Sequence, residues 1–408
     1  MKICLTLVIF LNFYATTIFA VTTLERLKAK IHVIAMNPKC LNITQQMREN
    51  TADATNGFQG GDTLADPFVK SANQPAVPGK KAKIALCAHG LTDSPASWRD
   101  LSECMVAGQT DVWAFRLSGH GRRLNETAAR QRQRQTTGNA QAWVDDMECS
   151  RLLAEAAGFE TIPCGFSTGG NAAMESALRG RGGSPAILIS PALMLNTEDA
   201  DDPQAPNHAA HMGLERLIGS YRKVTKTGRL TGINWTIPQA FVSDKARLNE
   251  VDPTKSLVDD ANPDTTKLNL EQNAGACGRD DSFSYHAIFQ IARMTTQRIT
   301  QIEGLRTNQR TSNQPILAAT TCSDATINPS AAREALRALY GNNLTEHYEE
   351  CGTGSSAGHA STMRQLPPGC LKTSLLHPNF TKLCTRLTSW LQDLSPGTAP
   401  TRGNLSRR

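Results

Sequence analysis

The chain has 408 residues, of which 39% are hydrophobic and 20% charged, and its net charge is +6. A length of this order holds roughly two to four domains or one large α/β domain with insertions, and the balance of apolar to charged residues excludes a wholly disordered chain. Glycine and proline are near average, which removes collagen-like and low-complexity classes; a small basic excess with interspersed acids describes a solvated surface, so nucleic-acid binding is set aside.

The first 20 residues read as an export signal: Lys2 precedes an apolar run from Ile3 to Phe13, and Ala20 offers a cleavage point. Ile18 is large for the residue three before the cut. The apolar stretch to Val21 also nearly reaches the roughly 20 residues of a spanning helix, so an uncleaved anchor is the alternative. The expected location is secreted or periplasmic. Cysteine usage agrees: of 11 Cys, only Cys4 lies in the signal, and an even number remains. Cys87, Cys164 and Cys322 fall in apolar strand-like runs and read as reduced core residues. Cys40, Cys104, Cys149, Cys277, Cys351, Cys370 and Cys384 are the disulfide candidates. No Cys-x-x-Cys pair suggests zinc or dithiol chemistry, and no metal is expected.

Residues 21–80 are polar and read as an N-terminal extension with one short helix near Leu24–Ile34. From 81 the pattern changes. Ile84–Ala88 is a continuous apolar run, as in a buried parallel strand. A helix is expected over Pro95–Gly108, a strand over Asp111–Leu117, and a helix over Ala140–Ala157 with Gly158 closing it. A strand at Thr161–Gly165, a helix at Thr168–Leu178 and a strand at Pro185–Ile189 follow. Alternation of this kind describes a parallel α/β sheet. It stops after Ala192 and resumes with a strand at Pro315–Thr320, a helix at Pro329–Leu339, a strand at Glu346–Glu350 and a closing helix at Phe380–Leu394. The expected divisions are core residues 81–195, a cap or lid insertion at 196–305 over the strand ends, core residues 306–394, and a disordered tail at 395–408.

The strongest chemical signal is Gly165-Phe166-Ser167-Thr168-Gly169. Gly-x-Ser-x-Gly is short enough to arise by chance, and Gly354–Gly358, around Ser356, also matches. Context separates them. Ser167 stands between a strand and a helix, the setting a nucleophile elbow requires, whereas Ser356 is followed by no helical pattern. The alternative for Ser167 is a glycine-rich helix entry without chemistry. The second signal is Ala88-His89-Gly90-Leu91 directly after a strand. A tight turn there can aim a backbone N–H at a developing oxyanion; Leu91 N–H is one expected donor and Thr168 N–H the other. His89 precedes the serine and sits at a strand end, so it reads as holding the turn by hydrogen bonding rather than acting as a base. Phe166, Trp113 and Phe115 are candidates to line the acyl side, although aromatics beside a parallel sheet more often belong to the core.

Taken together, AHGLTDSP (88–95), FRLSGHG (115–121), GFSTGG (165–170), ILISPAL (187–193) and PILAATTCSDATINP (315–329) resemble the α/β-hydrolase family. The resemblance is to its carboxylesterase and monoacylglycerol-lipase-like (serine aminopeptidase-type) branch. Residues 21–80, most of the insertion and the tail match nothing in it. The resemblance implies the α/β-hydrolase fold: a mostly parallel central sheet flanked by helices, with a cap insertion before the penultimate strand. It also implies the chain order nucleophile, acid, histidine. Asp324, just past a strand, suits the acid, with an N-cap aspartate as the alternative. Three histidines follow it. His359 lies in a glycine-rich loop after the last strand and is the expected base. His347 lies within the last strand-like run, and His377 sits beside Pro378 before the closing helix. The loop after His359 is long for the family, which keeps His377 open.

The implied activity is hydrolysis of carboxylic esters through a Ser167 acyl-enzyme, with no metal or organic cofactor. The expected partner is a small-molecule or lipid ester, with membrane contact only through that substrate or an uncleaved signal. A serine peptidase of the aminopeptidase type uses the same triad and fold. It would need cap acids such as those in Glu198–Asp202 or Asp280-Asp281 to grip a substrate amine. A non-catalytic binding protein on a hydrolase fold is the third reading, against which stands a complete candidate triad.

Overall fold

The structure, a computed structural model, describes residues 22–49, 51–54, 67–72, 79–90, 95–120, 140–179, 184–193, 314–321, 329–349 and 380–394. The expected signal, cap, tail and the segments holding Leu91, Asp324, His359 and His377 lie outside them.

A sheet of eight strands organises the described residues: β1 (Ala52–Asp53), β2 (Phe68–Lys70), β3 (Lys83–Ala88), β4 (Asp111–Phe115), β5 (Glu160–Phe166), β6 (Ala186–Ile189), β7 (Ile316–Thr321) and β8 (Leu344–Glu349). Their order is β1-β2-β4-β3-β5-β6-β7-β8. Every neighbouring pair is parallel except β2 with β4. The central strands β3, β4 and β6 are buried along their whole length, and apolar except for Lys83 and Asp111 at their starts, because both sheet faces are covered. Ile84, Leu86, Leu188 and Ile316 face one layer, and Cys87, Val112, Ile187 and Leu317 the other.

The helices are α1 (Thr23–Ala29), α2 (His32–Ala35), α3 (Leu41–Glu49), α4 (Arg99–Ala107), α5 (Ala140–Ala156), α6 (Thr168–Arg179), α7 (Pro329–Tyr340) and α8 (Phe380–Asp393). The first layer takes α1, α3, α5, α6 and α7; the second takes α4 and α8. None of these helices is long and apolar enough to cross a membrane. Gly158 ends α5 at φ +86°, as its position after the last periodic residue predicts.

The sheet begins inside the stretch read as an extension. In place of one helix near Leu24–Ile34 there are α1, α2 and α3, followed by β1 and β2, which form one edge of the sheet. Strands of two and three residues carry too few positions for alternation to register. A capping box starts α1: Glu25 N–H donates to Thr22 Oγ1 at 3.2 Å, and Thr22 N–H donates to Glu25 Oε2 at 2.8 Å. Leu24 and Leu27 are buried below it. Asp111 anchors this region, accepting from Thr23 Oγ1 at 2.5 Å and Ala72 N–H at 2.7 Å. Two cysteine pairs from distant elements stand at disulfide-bonding distance. Cys40–Cys149 joins the α3 entry to α5, and Cys104–Cys384 joins α4 to the closing helix. Cys87 and Cys164 are buried and unpaired, as expected; Cys322 lies outside the described residues.

Candidate active site

Ser167 occupies the junction between β5 and α6 with φ +53°, the left-handed region that a non-glycine residue rarely enters. Such a residue costs on the order of 1–3 kcal/mol and persists where its surroundings over-determine it. Here they do. Ser167 N–H donates to Ile189 O at 2.9 Å, and its carbonyl accepts from Ala192 N–H at 3.1 Å and Asn171 N–H at 3.4 Å. Asn171 Nδ2 adds a bond to Ala192 O at 2.9 Å. Ser190, at the end of β6, is also left-handed at φ +41°, and its N–H donates to Ala319 O at 2.7 Å. The end of β6 therefore locks the turn.

The flanking glycines are required by contact. A Cβ on Gly165 would stand 2.0 Å from Gly169 O, and one on Gly169 would stand 2.2 Å from Ala88 O. Helix α6 thus starts flush against the ends of β3 and β5. Thr168 is the first residue of α6 and is buried. Its N–H falls among the early helical donors that lack an intrahelical partner, at the positive end of the helix dipole.

The β3–β5 register pairs Ala88 with Gly165, which sets His89-Gly90 beside Phe166-Ser167. A Cβ on Gly90 would lie 3.4 Å from Ser167 Cβ. His89 is fully buried, with Nδ1 2.8 Å from Gly90 O and Nε2 accepting from Leu117 N–H at 3.1 Å. This assignment makes Nδ1 the protonated nitrogen. Burial, then the neighbouring His120, hold its pKa well below the ordinary histidine value. His89 is a neutral strut between two turns, as read from its place in the chain.

A second ring of polar groups supports the β4 turn, and nothing in the sequence reading assigned it. Asp146, fully buried on α5, accepts from Ser118 N–H at 2.6 Å and Ser118 Oγ at 3.1 Å. Ser118 O accepts from Trp143 Nε1 at 2.9 Å, and His120 packs edge-on between His89 and Trp143, at 4.6 and 5.7 Å. Burial pushes the Asp146 carboxyl up to about 7, although bonds from Asn42 and Ser118 oppose it. The available signal was a stripe: Trp143, Asp146, Met147 and Ser150 share a helical spacing and are all fully buried.

Trp113 and Phe115 are core residues, packed edge-on 5.9 Å apart, and Phe166 is buried against the Gly90 turn. His347 is the fourth residue of β8, opposite Ala319. From β5 to β8 is three strand spacings, about 14 Å. A base must stand about 3 Å from the hydroxyl it deprotonates, so His347 is too far. Among the described residues no group of three or more His, Cys, Asp or Glu side chains converges to hold a metal ion.

A mostly parallel sheet with a left-handed serine between a central strand and its helix defines a hydrolase-type α/β domain. Residues 85–363 match the sequence profile of the alpha/beta hydrolase family, and the chain belongs to that family. No curated protein matches it in sequence. Among solved structures, it is similar to a soluble variant of monoglyceride lipase from Saccharomyces cerevisiae in complex with a substrate analog. They share 12% identity over 80% of this chain and 91% of that one, with a TM-score of 0.51. A monoacylglycerol lipase from Paleococcus ferrophilus shares 18% identity over 76% of this chain and 95% of that one, with a TM-score of 0.46. At these identities the likeness is one of fold.

Proposed function

We propose that this protein is an exported serine esterase or lipase that cleaves carboxylic esters through an acyl-enzyme. Ser167 is the nucleophile, His359 the base and Asp324 the acid. The observation that carries the reading is the Ser167 turn. Its left-handed backbone at the entry of α6 is the geometry a nucleophile elbow requires, and the Gly165–Gly169 contact leaves no slack. In the sequence Asp324 comes after β7 and His359 after β8, and both strands run parallel to β5, which supports assigning the acid and the base to the segments that follow them.

In this mechanism His359 takes the Ser167 proton as the oxygen attacks the ester carbonyl. The N–H groups of Thr168 and Leu91 receive the oxyanion. The alcohol departs with the proton from His359, and the same histidine then activates water to release the acid. Family membership and the lipases among the similar folds favour an ester substrate. Export rests on the N-terminal apolar run and the two disulfides.

Ser167→Ala tests the reading. The variant should fold, lose nearly all hydrolysis of p-nitrophenyl esters and lose labelling by a fluorophosphonate probe. Undiminished labelling, or a label mapped to Ser356, would remove the assignment. Aminoacyl arylamides run beside the ester series separate an esterase from a peptidase.

A further inference from the structure

We infer that the corner formed by α2, the α3 entry and α5 is a docking surface for anionic phospholipid bilayers. Among the described residues the exposed large hydrophobic side chains are Val33 (50%), Met36 (92%), Leu41 (67%) and Leu152 (36%). They sit on elements that pack together. Val33 and Met36 stand one turn apart at α2. Leu41 follows Cys40, whose disulfide partner Cys149 lies one turn before Leu152 on α5. The elements carrying them, α2, the turn at Pro38–Cys40 and α3, all pack on α5. Isolated exposed apolar residues are ordinary, but a cluster in one corner needs a partner.

Charge names the partner. From Arg26 to Arg48 the chain carries five basic residues and no acidic one, and Glu25 and Glu49 lie just outside. On α5, Asp145 pairs with Lys39, while Glu148 and Glu155 pair with Arg151. Lys28, Lys30 and Lys39 are exposed, and Lys39 reaches only a long 4.0 Å pair with Asp145. Lysines around a few apolar side chains match a headgroup layer: the apolar groups enter the acyl boundary while the ammonium groups meet phosphates. A second copy of the chain fits poorly. It would bring like charges together, and four side chains fall short of the roughly 800 Å² per partner of a stable protein interface. The exposed side chains of this corner take no part in the proposed chemistry, and the inference does not depend on the catalytic reading.

Vesicle sedimentation tests it, using protein as purified from its host, with the N-terminus read by mass spectrometry and identical in all variants. Vesicles are phosphatidylcholine alone, or phosphatidylcholine mixed with phosphatidylglycerol. The expected result is binding to the mixed vesicles only, lost at high salt. Lys28→Gln with Lys30→Gln should weaken it about 30-fold, and Met36→Glu about 10-fold or more. Hydrolysis of a short soluble ester and the melting temperature should be unchanged in both variants, since these side chains are exposed. Three outcomes overturn the inference. One is no binding to either vesicle. Another is equal binding to both vesicles, unmoved by either variant, which assigns the contact to the apolar N-terminus. The third is a dimer in solution that Met36→Glu dissociates, which makes the corner a contact between copies.

Discussion

His89 Nε2 accepts the Leu117 N–H at 3.1 Å, and through this bond the end of β4 holds the turn that passes Ser167. With Nδ1 on Gly90 O, the imidazole joins two backbone turns and has no nitrogen left for proton transfer.

His89 should therefore remain neutral and Nδ1-protonated from pH 5 to 8 in nitrogen-correlated NMR; a titration in that range would contradict the bonding described. His89→Ala leaves two buried backbone groups unpaired. Each costs on the order of 1–3 kcal/mol. The variant should melt several degrees lower and turn over esters more slowly, because Gly90 immediately precedes the proposed donor Leu91.

Gly165→Ala is expected to be far more damaging than its one added carbon suggests. The new Cβ would meet backbone atoms of Gly169 and Gly170 within 2.5 Å, and neither belongs to a side chain that can swing away. A loss of more than about 4 kcal/mol, seen as insolubility or a much lower denaturation midpoint, is the expected result. A variant as stable as wild type would mean that the turn is looser than described.

Asp146 gives a pH dependence of defined sign. Its carboxyl titrates near 7 in the native state, against about 4 in an unfolded chain. Between those values the native state holds a proton that the unfolded state has released. Asp146's contribution to stability is thus fullest below pH 4 and declines as pH rises through 7. Asp146→Asn cannot ionise, so the gap in stability between wild type and variant should shift in the variant's favour from pH 5 to 8. Melting curves across that range check it; a gap independent of pH would assign Asp146 an ordinary carboxylate value.

Cys104–Cys384 fastens the closing helix to α4 across 280 residues of sequence. Removing it with Cys104→Ala and Cys384→Ala should lower stability by about 2–5 kcal/mol. In peptide mapping without reductant, Cys87 and Cys164 should alkylate only after denaturation, since both thiols are buried. Burial, then the neighbouring Cys87, also raises the Cys164 pKa well above that of an ordinary thiol. Rapid labelling of either in the native protein would contradict the core assignment.

Each of the central elements was legible because its pattern is local. Ile84–Ala88 and Pro185–Ile189 are apolar without interruption, as doubly covered parallel strands must be, and α5 and α8 carry helical periodicity over several turns. Ser167 was legible for the same reason: strand, turn and helix are written in consecutive residues. Which residues meet across the sheet was not. Nothing near Asp146 in the chain indicates that it holds Ser118, nor anything near Cys40 that it pairs with Cys149, because those contacts join segments far apart in the chain. The edge strands β1 and β2 exist only through pairing, being too short to hold an extended form alone. Local periodicity decided the elements and the place of Ser167 between two of them. Tertiary packing decided the struts around the serine turn, because a buried polar group is stable only beside a partner that the fold supplies.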